Sequence, residues 1–223
     1  MRIVWYILMC LCCFTNLLAQ EDDNIDEKYL EDQVYLSLTY NILNHKPAAI
    51  SQNGLSGGIA IGFIKDIPFN IERNFGLAIG LGYSYNAYIQ NLKISKQNQT
   101  TLFELAQSYK TNRLRMHSLD LPIEIRWRNS TPEKYKFWRI YGGVQLSYLF
   151  SINSKYVDEF EKTTTKNIAE FNKIRYGLIM AAGFSTWNVN VYYGLNRFFK
   201  NVEFNGNLLE LNDFKIGLKF YML

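Results

Sequence analysis

The sequence repeats one pattern eight times, a segment of about ten residues in which apolar and polar side chains alternate. In the clearest of these segments Leu119, Leu121 and Ile123 share one face, while Asp120 and Glu124 share the other. Because successive side chains of a β-strand point to opposite faces, the pattern predicts strands with one apolar and one polar face. The predicted strands are residues 34–43, 55–64, 75–89, 116–128, 137–152, 174–185, 187–198 and 213–223.

The last predicted strand constrains the fold, because an apolar strand at a sheet edge would expose unpaired N–H and C=O groups. Pairing it with the first strand would close a barrel, whereas the alternative is a soluble β-sandwich. The segment also resembles the assembly signal of bacterial outer-membrane barrels, with Gly217, Phe220 and Met222 at the matching positions. Ile216 replaces the polar residue of that signal, and Leu223 replaces the terminal aromatic residue.

The connections between the predicted strands distinguish barrel from sandwich, because long and short segments alternate. The long connections are 44–54, 91–115, 153–173 and 199–210, and the short ones are 65–74, 129–136 and residue 186 alone. Outer-membrane barrels have long extracellular loops and short periplasmic turns. The sequence therefore predicts an all-β, eight-stranded antiparallel transmembrane barrel in the bacterial outer membrane, with both termini in the periplasm.

Aromatic residues on the apolar faces support this prediction, since outer-membrane barrels carry an aromatic girdle at each membrane interface. If strand direction alternates, one group falls near the periplasmic end and the other near the outer end. The first group is Phe63, Phe75, Trp127, Trp138, Phe184, Trp187 and Phe220, and the second is Tyr40, Tyr83, Tyr85, Tyr148, Phe150, Tyr176 and Tyr193.

Residues 1–19 are predicted to be a secretory signal peptide, because Arg2 precedes an apolar run over residues 3–14. An uncleaved membrane anchor is the alternative. Residues 20–33 then form a short periplasmic segment, and residues 34–223 form the barrel. The chain has three cysteines, Cys10, Cys12 and Cys13. All of them lie within the signal peptide, so the mature barrel is expected to lack disulfides and thiol chemistry.

The polar faces predict a lumen filled by side chains, because eight strands enclose little more space than side chains need. Charges on these faces are expected to form a lumen network, in which Asp120 and Glu124 lie near Arg139 on the neighbouring strand. Small residues of the second and third strands are expected to make room for long basic side chains. The predicted network is Asp120, Glu124, Arg126, Arg139, Arg175, Lys215 and Lys219.

The residues that usually carry enzyme chemistry are sparse in this sequence. His45 and His117 lie far apart, so no zinc-ligand spacing exists, and no metal or cofactor is predicted. A lipid A-modifying barrel enzyme is the sharpest catalytic alternative, but His117 and Ser118 are adjacent and would point to opposite faces of a strand. No catalytic residue is predicted. Positive charge is spread along the chain, so no nucleic-acid partner is expected.

Residues 117–144, HSLDLPIEIRWRNSTPEKYKFWRIYGGV, resemble the PorT family of Bacteroidetes outer-membrane barrels. The resemblance implies a non-enzymatic accessory component of type IX protein secretion, and of gliding motility where that is present. Expected partners are outer-membrane lipid, the barrel-assembly machinery and other type IX secretion components. The candidate partner-contact turn is Lys134, Tyr135, Lys136 and Phe137, which could equally be a belt touching lipid headgroups. A structural or adhesion barrel without a secretion role is the alternative function.

Overall fold

A computed structural model describes residues 32–98, 100–129 and 137–222. The signal peptide, most of the predicted periplasmic segment, Leu223 and the contact residues Lys134, Tyr135 and Lys136 lie outside these ranges. The strands are β1 Asp32–Asn44, β2 Gly57–Pro68, β3 Phe75–Ile89, β4 Leu92–Gln97, β5 Thr100–Leu105, β6 Thr111–Arg128, β7 Trp138–Val157, β8 Lys162–Lys166, β9 Ile174–Phe184, β10 Trp187–Gly194, β11 Glu203–Phe204, β12 Asn207–Leu208 and β13 Asn212–Met222. Within the described ranges, no helix is both long and apolar enough to cross a membrane.

Eight of these strands form one closed antiparallel barrel, in the order β6, β3, β2, β1, β13, β10, β9, β7 and back to β6. The first and last strands pair from Val34 opposite Met222 to Asn44 opposite Asn212. The pairing of β6 with β7 completes the ring. The predicted eight-stranded barrel is therefore confirmed, and every barrel strand has a hydrogen-bonded neighbour on both sides.

The two faces of each strand differ as the alternation predicts. On β1, Ser37 and Asn41 are buried in the lumen, whereas Leu38 and Tyr40 are exposed on the outer surface. Aromatic residues on that surface cluster at both ends of the barrel. At the end with short turns, the Trp187 and Phe220 rings lie 5.1 Å apart, and at the long-loop end the Tyr83 and Phe150 rings lie 6.3 Å apart.

The long connections contain more β-structure than the sequence predicted. The hairpin β4–β5 lies within residues 91–115, β8 pairs with β7 within residues 153–173, and β11 pairs with β12 within residues 199–210. Strands β6 and β7 are 18 and 20 residues long. A membrane-spanning strand needs about 9–11 residues, so the β6–β7 hairpin continues well beyond the membrane.

Several predicted strand boundaries are wrong: β6 begins at Thr111 rather than at 116, β7 ends at Val157 rather than at 152, and β2 and β10 also end elsewhere than predicted. Strand β2 continues to Pro68, because the alternation persists through exposed Lys65, buried Asp66 and exposed Ile67. The short turn is therefore 69–74 in place of 65–74. Strand β10 ends at Gly194, four residues before the predicted end, because Phe198 leaves the barrel wall and becomes buried in the long-loop end.

The long connections fold over that end of the barrel and share an apolar core, which we call the cap. The rings of Phe171 and Phe199 lie 4.5 Å apart in it, and Phe103 packs edge-on against Phe199. All four long connections and the adjoining strand ends contribute. The buried cap residues are Leu43, Ile50, Tyr88, Leu92, Ile94, Leu114, Met116, Leu149, Ile152, Ile168, Phe171, Phe198, Phe199, Val202, Phe204, Leu209 and Leu211.

Candidate functional site

Glu124 is the centre of a buried charge cluster near the short-turn end of the lumen. Its carboxylate accepts hydrogen bonds from Arg126 Nη2 at 2.8 Å and Nε at 3.0 Å, and from Lys219 Nζ at 2.8 Å. The Arg126 guanidinium also stacks 4.4 Å from the Tyr141 ring. Three predicted network residues are therefore brought together, and the carboxylate is satisfied by two opposite charges.

Asp66 extends this cluster, although it falls in a connection that was predicted to be a turn, 65–74. Its carboxylate pairs with Arg128 Nη1 and lies 3.9 Å from Arg126 Nη1. All three side chains are almost completely buried. The alternation of Lys65, Asp66 and Ile67 was the signal that could have placed Asp66 in the lumen.

The expected pairing of Asp120 and Glu124 with Arg139 is wrong. In the register of β6 and β7, Arg139 lies opposite Arg128, while Glu124 lies opposite Gly143, four residues further along the strand. Within the described part of the chain, Arg139 has no carboxylate partner and its Nε makes no hydrogen bond. Its guanidinium stacks on the rings of Phe137 at 4.5 Å and Tyr221 at 5.8 Å.

Asp120 likewise forms no ion pair among the described residues. Its carboxylate instead accepts a hydrogen bond from Ser118 Oγ at 2.8 Å.

A separate charge cluster lies towards the long-loop end. There Asp213 pairs with Arg175 Nη2 at 2.9 Å and with Lys215 Nζ at 3.2 Å, and the Tyr88 hydroxyl donates to it at 2.9 Å. Asp213, at the edge of the last predicted strand, was missed as a network member.

The small residues of β2 and β3 do not make room for basic side chains as predicted. A Cβ atom added to Gly62 would lie 2.7 Å from Tyr35 Cε1, and one added to Gly82 would meet the Tyr35 hydroxyl. Tyr35 therefore fills the space, and the Lys219 ammonium lies 4.5 Å from its ring. A cavity of about 60 Å³ remains between the two charge clusters, with Asp120 in its wall.

His117 and Ser118 point to opposite faces, as the sequence analysis expected of adjacent residues in a strand. His117 Nδ1 lies 2.7 Å from the Tyr83 hydroxyl on the outer surface. Ser118 is buried in the lumen, where it bonds to Ser84 and Asp120. The β6–β7 register shifts between these residues, but the extra residue is on β7 and the alternation on β6 persists. Among the described residues, no group of three potential metal ligands occurs.

The remaining predicted site residues lie near the short-turn end. Phe137, the described member of the candidate contact turn, is buried beneath Arg139 and leaves little of its own surface for a partner, while the contact role of the turn remains a prediction. Phe220 and Met222 lie on the outer face of β13. Gly217 faces the lumen, and a Cβ there would approach Thr39 Cα at 2.7 Å. The close backbone approach explains the glycine, while a role in assembly remains a prediction.

A closed barrel with an apolar exterior, aromatic belts at both ends and an ion-paired lumen defines an outer-membrane β-barrel protein. The chain belongs to the outer membrane protein beta-barrel domain family, whose model matches residues 18–200. A search of curated proteins returned no significant match. Among solved structures, Ail, the attachment invasion locus protein of Yersinia pestis, aligns with 7% identity over 86% of this chain and 97% of its own, with a TM-score of 0.36. A likeness that weak carries no argument about function.

Proposed function

We propose that this chain is a non-catalytic outer-membrane barrel whose cap binds a macromolecular partner outside the cell, as a structural or adhesion protein. The packed apolar core of the cap carries this proposal. Loops that merely connect strands have no need of a shared core, whereas a core holds them in one shape and so presents a defined surface. The extended β6–β7 hairpin adds a rigid projection to that surface.

The proposal includes an orientation, with the cap outside the cell and both termini in the periplasm. Its support is the difference in length between the connections at the two ends, because outer-membrane barrels have long extracellular loops. Labelling of a Phe160→Cys variant with a membrane-impermeant maleimide on intact cells tests it. Phe160 sits at the β7–β8 tip and is 97% exposed, and failure to label would refute the orientation.

The filled lumen favours a binding role for the protein over transport of solutes through the barrel. Buried ion pairs and Tyr35 occupy the barrel interior, and the cap core covers its long-loop end. The opposite orientations of His117 and Ser118 also give no support to a deacylase-type nucleophile and base. That the barrel is non-catalytic is therefore proposed together with its binding role.

Phe160 offers a direct test of the cap as a binding surface. An exposed aromatic side chain is the type of residue that anchors protein interfaces, and its neighbours Glu159 and Glu161 keep the tip soluble. A Phe160→Ser variant should fold normally and reduce attachment of cells to surfaces or to one another. Attachment that is lost on deletion of the protein but unchanged in the variant would exclude this tip. Attachment that survives deletion would refute the adhesion role.

An accessory role in type IX secretion is the second candidate, supported by the resemblance of residues 117–144 to the PorT family. The β2–β3 turn adds an observation, because Ile71 at its tip is 99% exposed and could contact a periplasmic partner. Lys134, Tyr135 and Lys136, which the sequence offers as a contact turn between β6 and β7, remain candidates for the same role. The barrel-assembly machinery, acting on β13, would be a further partner.

Deletion of the protein separates the two candidates when both cell attachment and secreted cargo are measured. Cargo lost from the medium and trapped in the periplasm would support the secretion role. An Ile71→Ser variant would then be compared with Phe160→Ser: the secretion role predicts that the first impairs secretion, and the adhesion role predicts that the second impairs attachment. Normal secretion after deletion would refute the secretion role.

A further inference from the structure

We propose that the outer surface of β6, β7 and β8 carries a binding site for the phosphate groups of a membrane glycolipid. Four cationic side chains form the site, and we call them the basic patch: Arg113, Arg115, Lys155 and Lys166. The patch lies on the outer face of these strands, beyond the long-loop end of the lipid-facing band. It is separate from the lumen charges and from the cap core.

The strand registers place these residues together. Arg113 on β6 lies directly opposite Lys155 on β7, and Arg115 lies opposite Asn153, which in turn lies opposite Lys166 on β8. Their inward neighbours on the same strands, such as Leu114 and Ser154, are buried. The four cations therefore project from one continuous face of a three-stranded sheet.

The height of the patch matches the level of lipid headgroups. On β6, Trp127 belongs to the aromatic belt at the short-turn end, and His117 lies ten residues away in the opposite belt beside Tyr83. At about 3.3 Å per residue and a tilt of about 35–45°, ten residues rise roughly 25 Å, which is the usual height of the apolar band. Arg115 and Arg113 then lie about 5 and 10 Å beyond the apolar band.

The protein itself does not neutralise the patch. Like charges directly opposite on neighbouring strands destabilise a sheet, yet none of the four cations has an ion pair within the described ranges. The carboxylates at the nearby β7–β8 tip are engaged elsewhere: Glu161 binds Lys93 at 2.6 Å and Glu159 approaches Lys110 at 3.9 Å.

The third tip carboxylate, Asp158, accepts hydrogen bonds from the backbone N–H groups of Phe160 and Glu161 and from the Tyr156 hydroxyl. An external anion would supply what the barrel lacks. Phosphate suits it best, since guanidinium groups bind phosphate oxygens in a bidentate manner.

The phosphorylated glycolipid of the outer leaflet is the occupant that fits this position. The aromatic belt of Tyr83, Tyr85, His117 and Phe150 would contact its acyl chains and sugar, and the basic patch would bind its phosphates. The choice of leaflet rests on the proposed orientation. The preference for phosphate groups does not depend on that orientation, because it follows from the strand register and the unpaired charges.

Lipid binding by the purified, full-length mature barrel in neutral detergent micelles tests the proposal. The probe is lipid A carrying both phosphates, compared with the same lipid after dephosphorylation. The quadruple variant R113Q/R115Q/K155Q/K166Q should bind phosphorylated lipid A more than about a hundredfold more weakly, at roughly fivefold for each cation lost. The wild-type barrel should bind the dephosphorylated lipid as weakly as this variant does.

Two matched variants separate the patch from general charge effects. A K65Q/K200Q variant removes two exposed cations elsewhere and should bind as the wild type does. R113K/R115K keeps the charges but loses the bidentate contacts, so it should bind more weakly than the wild type and more tightly than the quadruple variant. Heat-dependent gel migration checks that each barrel is folded. Unchanged binding by the quadruple variant, or equal binding of the dephosphorylated lipid by the wild type, would overturn the proposal. The micelle assay is independent of orientation, which maleimide labelling on cells tests separately.

Discussion

The lumen and the cap solve the same problem of filling a space between strands, but with opposite chemistry. The lumen is held by buried ion pairs around Glu124 and Asp213, whereas the cap is held by apolar contacts around Phe171 and Phe199. In lipid the strands turn their apolar faces outward, so polar faces are left for the interior. Beyond the membrane, water surrounds the strands and the usual apolar core returns. Along their length, the same strands thus enclose a polar interior within the membrane and an apolar core beyond it.

The largest effect should come from Glu124. A Glu124→Gln variant leaves Lys219 buried without a negative partner and leaves Arg126 with only the Asp66 carboxylate at 3.9 Å. Removing one member of a buried charge cluster costs about 3–5 kcal/mol. Urea-induced unfolding of the barrel in lipid vesicles measures the loss. Asp120→Asn is the matched control, because Asp120 has only a hydrogen bond from Ser118, and it should change stability by about 1 kcal/mol or less. Equal effects would show that the charge cluster is not what holds the lumen.

Loss of an aromatic ring from the cap should affect the loops more than the barrel. Phe171 is fully buried, and its replacement by Ala should destabilise the cap by about 3 kcal/mol. We expect faster proteolysis of the long connections with an unchanged urea midpoint for the strands. If the barrel midpoint fell equally, the two regions would be one cooperative unit, and the contrast between them would not extend to stability.

Arg139 tests whether every lumen charge is stabilising. Because Arg139 is buried with no described carboxylate partner, Arg139→Met should stabilise the barrel, by about 1 kcal/mol, by removing an uncompensated charge. Arg126→Met is the matched variant and should be destabilising, since it leaves Glu124 with Lys219 alone. Urea titration of the two variants in vesicles compares them. A loss of stability in both would indicate that Arg139 has an anionic partner.

The smallest effect should be a pH response at the β7–β8 tip. Backbone N–H groups of Phe160 and Glu161 lower the pKa of Asp158, which is half-buried at the tip. Because the folded pKa is depressed, the stabilisation of the tip is present above the unfolded pKa of about 4 and is lost as pH falls through the folded pKa. Protection of the Phe160 amide, measured as its exchange rate relative to the intrinsic rate at the same pH, should therefore fall in acid, and Asp158→Ala should show this lower protection already at neutral pH. Protection of the Phe160 amide that stays constant as pH falls in the wild type would contradict this assignment.

The sequence predicted the membrane-spanning region better than the cap, for a physical reason. Alternation with a period of two is imposed by lipid on one side and the lumen on the other, and it is visible in segments such as 116–128. The cap is built from short strands such as β4 and β8, and its core joins Ile50, Phe171 and Leu209 from distant loops. Such contacts leave no periodic signal in any one segment.

The lumen shows the same limit on a smaller scale. Alternation correctly placed Glu124, Arg126, Arg175, Lys215 and Lys219 on the inner face. Their partners depend on register and on which strands are neighbours. Glu124 lies opposite Gly143 on β7, four residues from Arg139, so these two side chains do not meet. The closure of the ring instead brings Lys219 to Glu124 from the far end of the chain.

The pairing of β1 with β13 also governs the order in which this protein can form. These strands are adjacent in space and nearly the whole described chain apart in sequence, so their contact carries the largest loop-closure entropy in the ring. Hairpins such as β6–β7 can form early and locally, but β1 and β13 can pair only after the final strand has been synthesised. A chain cut short before β13 would therefore lose the entire closed ring rather than one strand, because β1 and β10 would both be left as open edges in lipid.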